Sequence, residues 1–262
     1  MRYLVEEGRA LTHSLELHVV DHCNLRCREC CTLSPLLPER AADPEELRAD
    51  LDLARRVLRP EILKISGGEP VLHPRLEECL RVARESGTAR LVSMTTNGHL
   101  LQKMAERCWE LLDHLTVSLY PSAPLSEERL DWIRARCATR GIELKEKRQD
   151  EFEELTVESP MDDASTTRVF EACWMKRRCH LLRRGVFYTC TRPPHFDTYF
   201  HAGGRLAGGD GVRLHGGPGM IDDLLWYLER KEPLASCRHC LGNTGRRFPH
   251  EQLAPVAKGH VA

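Results

Sequence analysis

Along the first 150 residues, short apolar runs alternate with longer stretches whose apolar positions recur every three or four residues. The runs have the length of strands, and the longer stretches have the period of a helix with one buried face. "LELHVV" (15–20) reads as the first strand. "DPEELRADLDLARRVLRP" (43–60) reads as a helix, with Asp43 suited to the N-cap and Pro44 to the first turn. Further strands are predicted at "ILKISGG" (62–68), "RLVSMTTNG" (90–98), "LTVSLYP" (115–121) and "IELKEKR" (142–148). Helices are predicted between them, at 74–87, 102–114 and 126–141. Strand–helix alternation of this kind predicts parallel βαβ units, with ligand chemistry on the loops that follow the strands.

Beyond residue 150 the rhythm stops. "DEFEELTVESPMDDAST" is acidic and polar and reads as a linker. "HAGGRLAGGDGVRLHGGPG" (201–219) reads as loop, "MIDDLLWYLERK" (220–231) as the one late helix, and "LAPVAKGHVA" as a frayed tail. The expected division is a core over 1–150 and a linker with a small appendage over 151–262. The appendage is too rich in glycine to be held by apolar burial alone.

Charge and composition narrow the setting. The formal net charge is −1 over 262 residues, so no global field draws the chain to nucleic acid or to an anionic membrane. No stretch approaches the ~18–20 apolar residues of a membrane span, and the first twenty residues lack the apolar run of a signal peptide. A cytoplasmic location is expected, where thiols stay reduced. Clustered cysteines there bind metal or do chemistry more often than they form disulfides.

Four of the twelve cysteines lie in "DHCNLRCRECC" (21–31). Cys23, Cys27 and Cys30 have the spacing C-x3-C-x2-C, which would also place them on one helical face. The polar residues between them suit a loop after a strand instead. Structural zinc prefers four protein ligands, and Cys31 could be a fourth only in a cramped geometry. Three thiolates on a short loop suit a [4Fe–4S] cube with one open iron. The next strand ends in "SGGEP", where glycines permit close backbone approach and Glu69 offers an anion.

"CNLRCREC" and "GGEP" resemble the motifs of the radical S-adenosylmethionine (SAM) superfamily. The resemblance covers roughly residues 15 to 148. It implies an α/β fold, a partial (β/α) TIM-like barrel of five to six parallel strands. It also implies a cluster on Cys23, Cys27 and Cys30 whose open iron binds SAM and splits it into methionine and a 5′-deoxyadenosyl radical. Gly67, Gly68, Glu69 and Pro70 fall on the SAM-binding motif. Asn97 in "TTNG" and Ser118 in "VSLYPS" match positions near the ribose and carboxylate of SAM. Two residues depart from the pattern. Glu29 stands where the family has an aromatic residue that stacks on adenine, and Tyr120 stands where many relatives have Asp. Tyr120 could line a substrate pocket.

A second group of cysteines lies in the appendage. Cys237-Arg-His-Cys240 is a metal-ligand spacing. "CWMKRRCHLLRRGVFYTC" (173–190) resembles the opening C-x9–15-G-x4-C of the SPASM/twitch extensions of radical SAM enzymes. The resemblance implies a small twitch-like domain with a second, auxiliary [4Fe–4S] cluster on Cys173, Cys190, Cys237 and Cys240. The rival is an all-cysteine zinc site. Cys179 is left over, as a structural thiol or a hydrogen-atom donor, and Cys79, Cys108 and Cys137 read as core. The basic run "MKRRCHLLRR" reads as a solvated face or as an anion site.

Chains of this size with one auxiliary cluster are similar to radical SAM dehydrogenases of the 2-deoxy-scyllo-inosamine type. That implies hydrogen abstraction from a small sugar-, cyclitol- or nucleoside-like natural-product substrate and oxidation of a C–OH. Epimerisation, decarboxylation and peptide modification are the alternatives. Tyr120, His180, His195 and His239 are the candidate bases. The expected partners are SAM, the small-molecule substrate and a flavodoxin- or ferredoxin-type electron donor; neither membrane nor nucleic acid is expected.

Overall fold

The structure is a computed structural model that describes residues 3–254. Its frame is an open sheet. Strand β1 (Val5–Glu6) forms a hairpin with β2 (Arg9–Val20). Next come helix α1 (Pro44–Val57), β3 (Leu58–Gly67), α2 (Leu76–Glu85), β4 (Leu91–Thr96), α3 (Glu106–Glu110), β5 (His114–Leu119), α4 (Glu127–Ala138) and β6 (Glu143–Arg148). Strands β2 to β6 pair in parallel, in sequence order. Their Leu15, Leu17, Leu63, Ile65, Met94, Leu115 and Val117 bury themselves against Leu51 and Ala54 of α1, Leu80 of α2 and Ile133 of α4. Cys79, Cys108 and Cys137 lie in this core, as expected.

The predicted helix starts match the observed ones at α1 and α4. Asp43 and Ser126 cap them by accepting from the backbone N–H of Glu45 and Arg129. The ends differ. Helix α1 stops at Val57, three residues short of the expectation, and β3 begins at once. Pro60 lacks the N–H that a helix interior needs and biases Arg59 to extended backbone. Strand β2 begins six residues before Leu15, because Ala10 to Thr12 find partners in Leu58 to Pro60. The helix expected over 102–114 shrinks to a 3-10 turn (Leu101–Lys103) and the short α3. Met104 and Ala105 between them are extended, and Met104, Cys108 and Trp109 are buried.

The second part holds more structure than its composition predicts. The expected linker contains β7 (Glu151–Glu153) and leads into α5 (Asp163–Ala172). Strand β8 (Leu181–Arg183) and β9 (Val186–Tyr188) form a hairpin. Helices α6 (Arg192–Tyr199) and α7 (Arg205–Gly209) come next, then β10 (Val212–Arg213), α8 (Met220–Leu228) and β11 (Arg247–Pro249). The segment 201–219 is therefore not all loop, and α8 is not the only late helix. Strand β8 pairs in parallel with β2, and β9 and β10 continue the same sheet. A sixth parallel strand thus comes from the second part of the chain. The strand order β10-β9-β8-β2-β3-β4-β5-β6 leaves β6 and β10 at opposite edges, so the barrel is partial. No helix among the described residues is long and apolar enough to cross a membrane. The tail expected to fray lies outside the described residues from 255 onward. Leu253 before it is anchored, its N–H donating to the carbonyl of Arg26.

Candidate metal and cofactor site

The cysteine loop leaves the C-terminal end of β2, where the parallel strands converge. Asp21 opens it. Its carboxylate is buried and takes both arms of the Arg183 guanidinium, at 2.6 and 2.7 Å. Burial pushes this carboxyl up, but the Arg183 fork outweighs it and holds the group below the usual range. The cysteine loop is therefore tied to β8 at its root.

The two glycines of "GGEP" press the end of β3 onto this loop. The N–H of Gly68 donates to Val20 O and that of Glu69 to His22 O. A Cβ at Gly67 would stand 2.2 Å from Val20 O, and one at Gly68 would stand 1.8 Å from His22 O. Gly67 also has φ +119°, a conformation that excludes most side chains. Glycine is required at both places for the approach itself.

Glu69 is fully buried. Its carboxylate caps the 3-10 turn Pro70–Leu72 through the N–H of Val71, and it accepts from Thr96 Oγ1 (2.7 Å) and the N–H of Asn97 (2.8 Å). Burial pushes its pKa up, and these three donors oppose that shift. Asn97 passes the link on: its amide donates to Asn24 Oδ1 at 2.8 Å and to Cys23 Sγ at 3.6 Å. Gly98, with φ +80°, turns the chain after it. Ser118, from the end of β5, is buried on the strand face opposite Leu115 and Val117.

Cys23 feels the charge of both Cys27 and Cys30, and Cys27 that of Cys30. Burial pushes Cys23 up to about 12 and Cys27 up to about 11. Cys30 moves down, because Cys31 and Thr32 donate to its sulfur. Cys31 itself is exposed. Gln252 Nε2 donates to Cys27 Sγ at 3.5 Å, and its Oε1 accepts the N–H of Arg26 at 2.6 Å. Glu29, at φ +54°, does not face the thiols. Its carboxylate accepts the N–H groups of Leu155 (3.0 Å) and Thr156 (3.1 Å). Three soft thiol donors on one loop, backed by glycines with no room for a Cβ, fit a cluster held by three cysteines.

Cys173, Cys190, Cys237 and Cys240 line one cavity, together with Phe170, Lys176 and Arg192. The N–H of Gly242 donates to Cys240 Sγ at 3.3 Å. A Cβ on this residue would lie 3.5 Å from Cys173 Cβ, so the turn joins the two cysteines. Burial pushes Cys237 up to about 12 and raises Cys190 and Cys240 as well. A thiol in such a setting ionises only when a metal takes the proton's place. Among the described residues, no three His, Cys, Asp or Glu stand in a group that could hold a single metal ion.

The candidate catalytic residues do not gather at one point. Tyr120 is half-buried and packs on His250 (4.6 Å between ring centres) and Phe152, and desolvation raises its phenol pKa. His180 contacts Tyr3 and Phe187, and burial lowers it to about 4. His239 pairs its Nδ1 with Val157 O at 3.1 Å and packs on Phe200. Cys179 is pushed up to about 12 by burial and feels Glu16, Lys64 and Lys147. His195 stacks on His18 and is buried. Two of the five basic residues of the run are paired, Arg183 with Asp21 and Arg184 with Glu46.

The sequence reading missed a polar row on the inner sheet face. Glu16 and His18 alternate with Leu15, Leu17 and Val19 on β2, and Glu16 takes Lys64 Nζ and Ser66 Oγ, each at 3.2 Å, from β3. The signal was present, as two ionisable residues two apart in an apolar strand. It also missed Asn24 and Gln252, which no motif marks.

The comparisons with known proteins agree with this geometry. The sequence pattern described as "Radical SAM superfamily" matches residues 17–146. GTP 3',8-cyclase of Microcystis aeruginosa is 33% identical over 131 residues, which are 47% of this chain and 39% of that one. A probable GTP 3',8-cyclase of Archaeoglobus fulgidus is 36% identical over 129 residues, 49% of this chain and 41% of that one. The chain thus spans about two fifths of the length of these relatives. Among solved structures, BtrN in complex with AdoMet and 2-DOIA superposes with a TM-score of 0.50 at 15% identity, over 70% of this chain and 74% of that one, a likeness of fold. Three cysteines on the loop after β2, glycines after β3 and a matched segment that spans these strands lead to one conclusion: residues 17–146 form a radical SAM domain.

Proposed function

We propose that this protein cleaves SAM reductively and abstracts a hydrogen atom from a small hydroxylated molecule, with oxidation of one C–OH as the net result. The observation that carries the reading is the approach of the Cys23 thiol, on one loop with Cys27 and Cys30, to Glu69 and Asn97 at the carboxyl ends of the parallel strands. A [4Fe–4S] cluster bound there supplies the electron that splits SAM. In this reading the three cysteines hold the cluster. Gly67 and Gly68 hold the end of β3 against the cysteine loop, and Pro70 follows in the SAM-binding turn. Glu69, Asn97 and Ser118 bind its polar groups. Cys173, Cys190, Cys237 and Cys240 hold a second [4Fe–4S] cluster in the part assigned to 151–262.

Glu16, Lys64 and Ser66 line a polar inner face suited to hydroxyl groups. Of the candidate bases, His195 is the best placed. Glu16 only accepts when ionised, so His18 presents Nε2–H to it at 3.3 Å and leaves Nδ1 bare. His195 then donates Nε2–H to that nitrogen, at 2.7 Å, and its own Nδ1 is a buried acceptor with no partner. Burial, above all, keeps His195 neutral. Tyr120, His180 and His239 are the other candidate bases, and Cys179 is the candidate hydrogen donor if the product is an epimer. A flavodoxin- or ferredoxin-type protein is the proposed electron donor, and the cytoplasm the proposed location.

A second reading has support in the relatives' names: a nucleoside triphosphate substrate that is cyclised. Reconstituted protein with SAM and dithionite decides the first step. The expected product is 5′-deoxyadenosine, lost in a Cys23/Cys27/Cys30→Ala variant; its persistence there would reject the site. With the substrate known, mass spectrometry separates the outcomes. Oxidation gives a product lighter by two hydrogens and cyclisation or epimerisation an isobaric one, and only epimerisation places solvent deuterium on the carbon that lost its hydrogen.

A further inference from the structure

Arg192 is the least explained residue of the molecule. It is 2% exposed, and Nε, Nη1 and Nη2 all lack a partner. Among the described residues, no carboxylate lies within ion-pair distance of it. Its one marked contact is with the Phe196 ring, 5.3 Å from the ring centre to the guanidinium carbon. A buried cation with five idle N–H donors is costly unless an anion completes its surroundings. Arg192 stands two residues after Cys190, in the first turn of α6, and lines the same cavity as Cys173, Cys190, Cys237 and Cys240. Lys176 lines that cavity too, its ammonium 3.8 Å from the centre of the Phe170 ring. Its other contact is the carbonyl of Phe170, a neutral acceptor.

We infer that Arg192, assisted by Lys176, is the charge partner of an anionic four-thiolate cluster in this cavity, donating N–H groups to its sulfurs. The inference rests on the reading of those four cysteines as an iron–sulfur site. A [4Fe–4S]2+ cube with four thiolates is a dianion, and Arg192 and Lys176 together bring the opposite charge. The guanidinium suits the role better than an ammonium. It spreads its charge over a planar fork and stays protonated in any protein setting. Removing a cation from beside a cluster disfavours the reduced, more negative state, so the potential falls. Arg192 therefore sets the potential of the second cluster, as a positioning and tuning residue.

The test uses the full chain with Cys23, Cys27 and Cys30 changed to Ala, so that only the second site can load. After anaerobic reconstitution with iron and sulfide, metal content and absorbance are measured first. A chain that holds no iron, or zinc instead, overturns the inference together with the reading beneath it. With iron present, the midpoint potential is read by an EPR-monitored titration for Arg192, Arg192→Lys and Arg192→Met. The expected result is a fall of at least about 59 mV in Arg192→Met, a tenfold change in the one-electron equilibrium. Arg192→Lys should stay closer to the parent. An unchanged potential in Arg192→Met overturns the inference and leaves the iron–sulfur reading intact. If Arg192→Met does not load, Arg192→Lys decides. Loading with a shift smaller than tenfold upholds a charge role, and failure to load in both variants overturns it.

Discussion

Single residues near the cysteine loop have two duties, and the structure separates them. Glu69 stood out in the sequence as an anion facing the cofactor. Its three hydrogen bonds to Val71, Thr96 and Asn97 also make it the joint between β3 and β4. Glu69→Ala should therefore lower stability as well as SAM affinity, since it strands two buried N–H groups and a hydroxyl. We expect a loss of about 3 kcal/mol in urea unfolding. SAM affinity in a titration should weaken by about tenfold or more, from the loss of one charge-assisted bond. An unchanged affinity would remove Glu69 from the SAM site. Gly68→Ala is the sharper probe. Its methyl cannot coexist with His22 O, so the loop must move. We expect iron at the first site and 5′-deoxyadenosine formation to fall together, while the second site keeps its iron.

At the scale of elements, β7 and β11 clamp the cysteine loop from outside the radical SAM segment. Phe152 pairs with Phe248, Glu29 anchors to the chain after β7, and Gln252 reaches Cys27 from the residues after β11. Gln252→Ala should leave the first cluster formed but more open. About 1 kcal/mol of hydrogen bonding is lost, and the absorbance should bleach about fivefold faster in the presence of a chelator. Equal bleaching rates would show that the clamp does not protect the loop. Strand β2 adds a pH signature. Burial raises Glu16, but its bonds to His18 and Lys64 prevail and bring it down to about 2. A carboxyl depressed on folding stabilises above its unfolded pKa and loses that contribution as pH falls through the folded value. The parent should thus lose stability between about pH 4.5 and pH 2 more steeply than Glu16→Gln, as read from urea midpoints across that range.

At the scale of the whole molecule, the second part of the chain is built into the first. Strand β8 extends the parallel sheet through β2, and its last residue, Arg183, holds Asp21 at the root of the cysteine loop. Asp21→Asn should weaken this joint. The expected sign is lower stability at neutral pH with a smaller deficit in acid, where Asp21 is protonated in the parent too. Thermal unfolding at both pH values checks it; an equal deficit at both would mean that the ion pair is not the source.

The sequence alone determined whatever depends on local chemistry. Cysteine spacing, the Gly-Gly-Glu turn, N-caps at Asp43 and Ser126, and the apolar period of α1, α2 and α4 are written in neighbouring residues. They sufficed for the parallel βα frame and for the three thiols of the first site. Tertiary structure decided the rest, because the partners lie far apart along the chain. Nothing local marks Gln252 as a neighbour of Cys27, Glu29 as the anchor of residues 155 and 156, or Leu181 as a strand beside Glu16. Helices α5, α6 and α7 and the β7–β11 pair escaped the pattern because their segments are short and polar or rich in glycine, and contacts with distant residues hold them in place. Burial was equally hidden. Arg192 reads as one more charge in an arginine-rich stretch, and only the packing of α6 against four cysteines turns it into a cation without an anion.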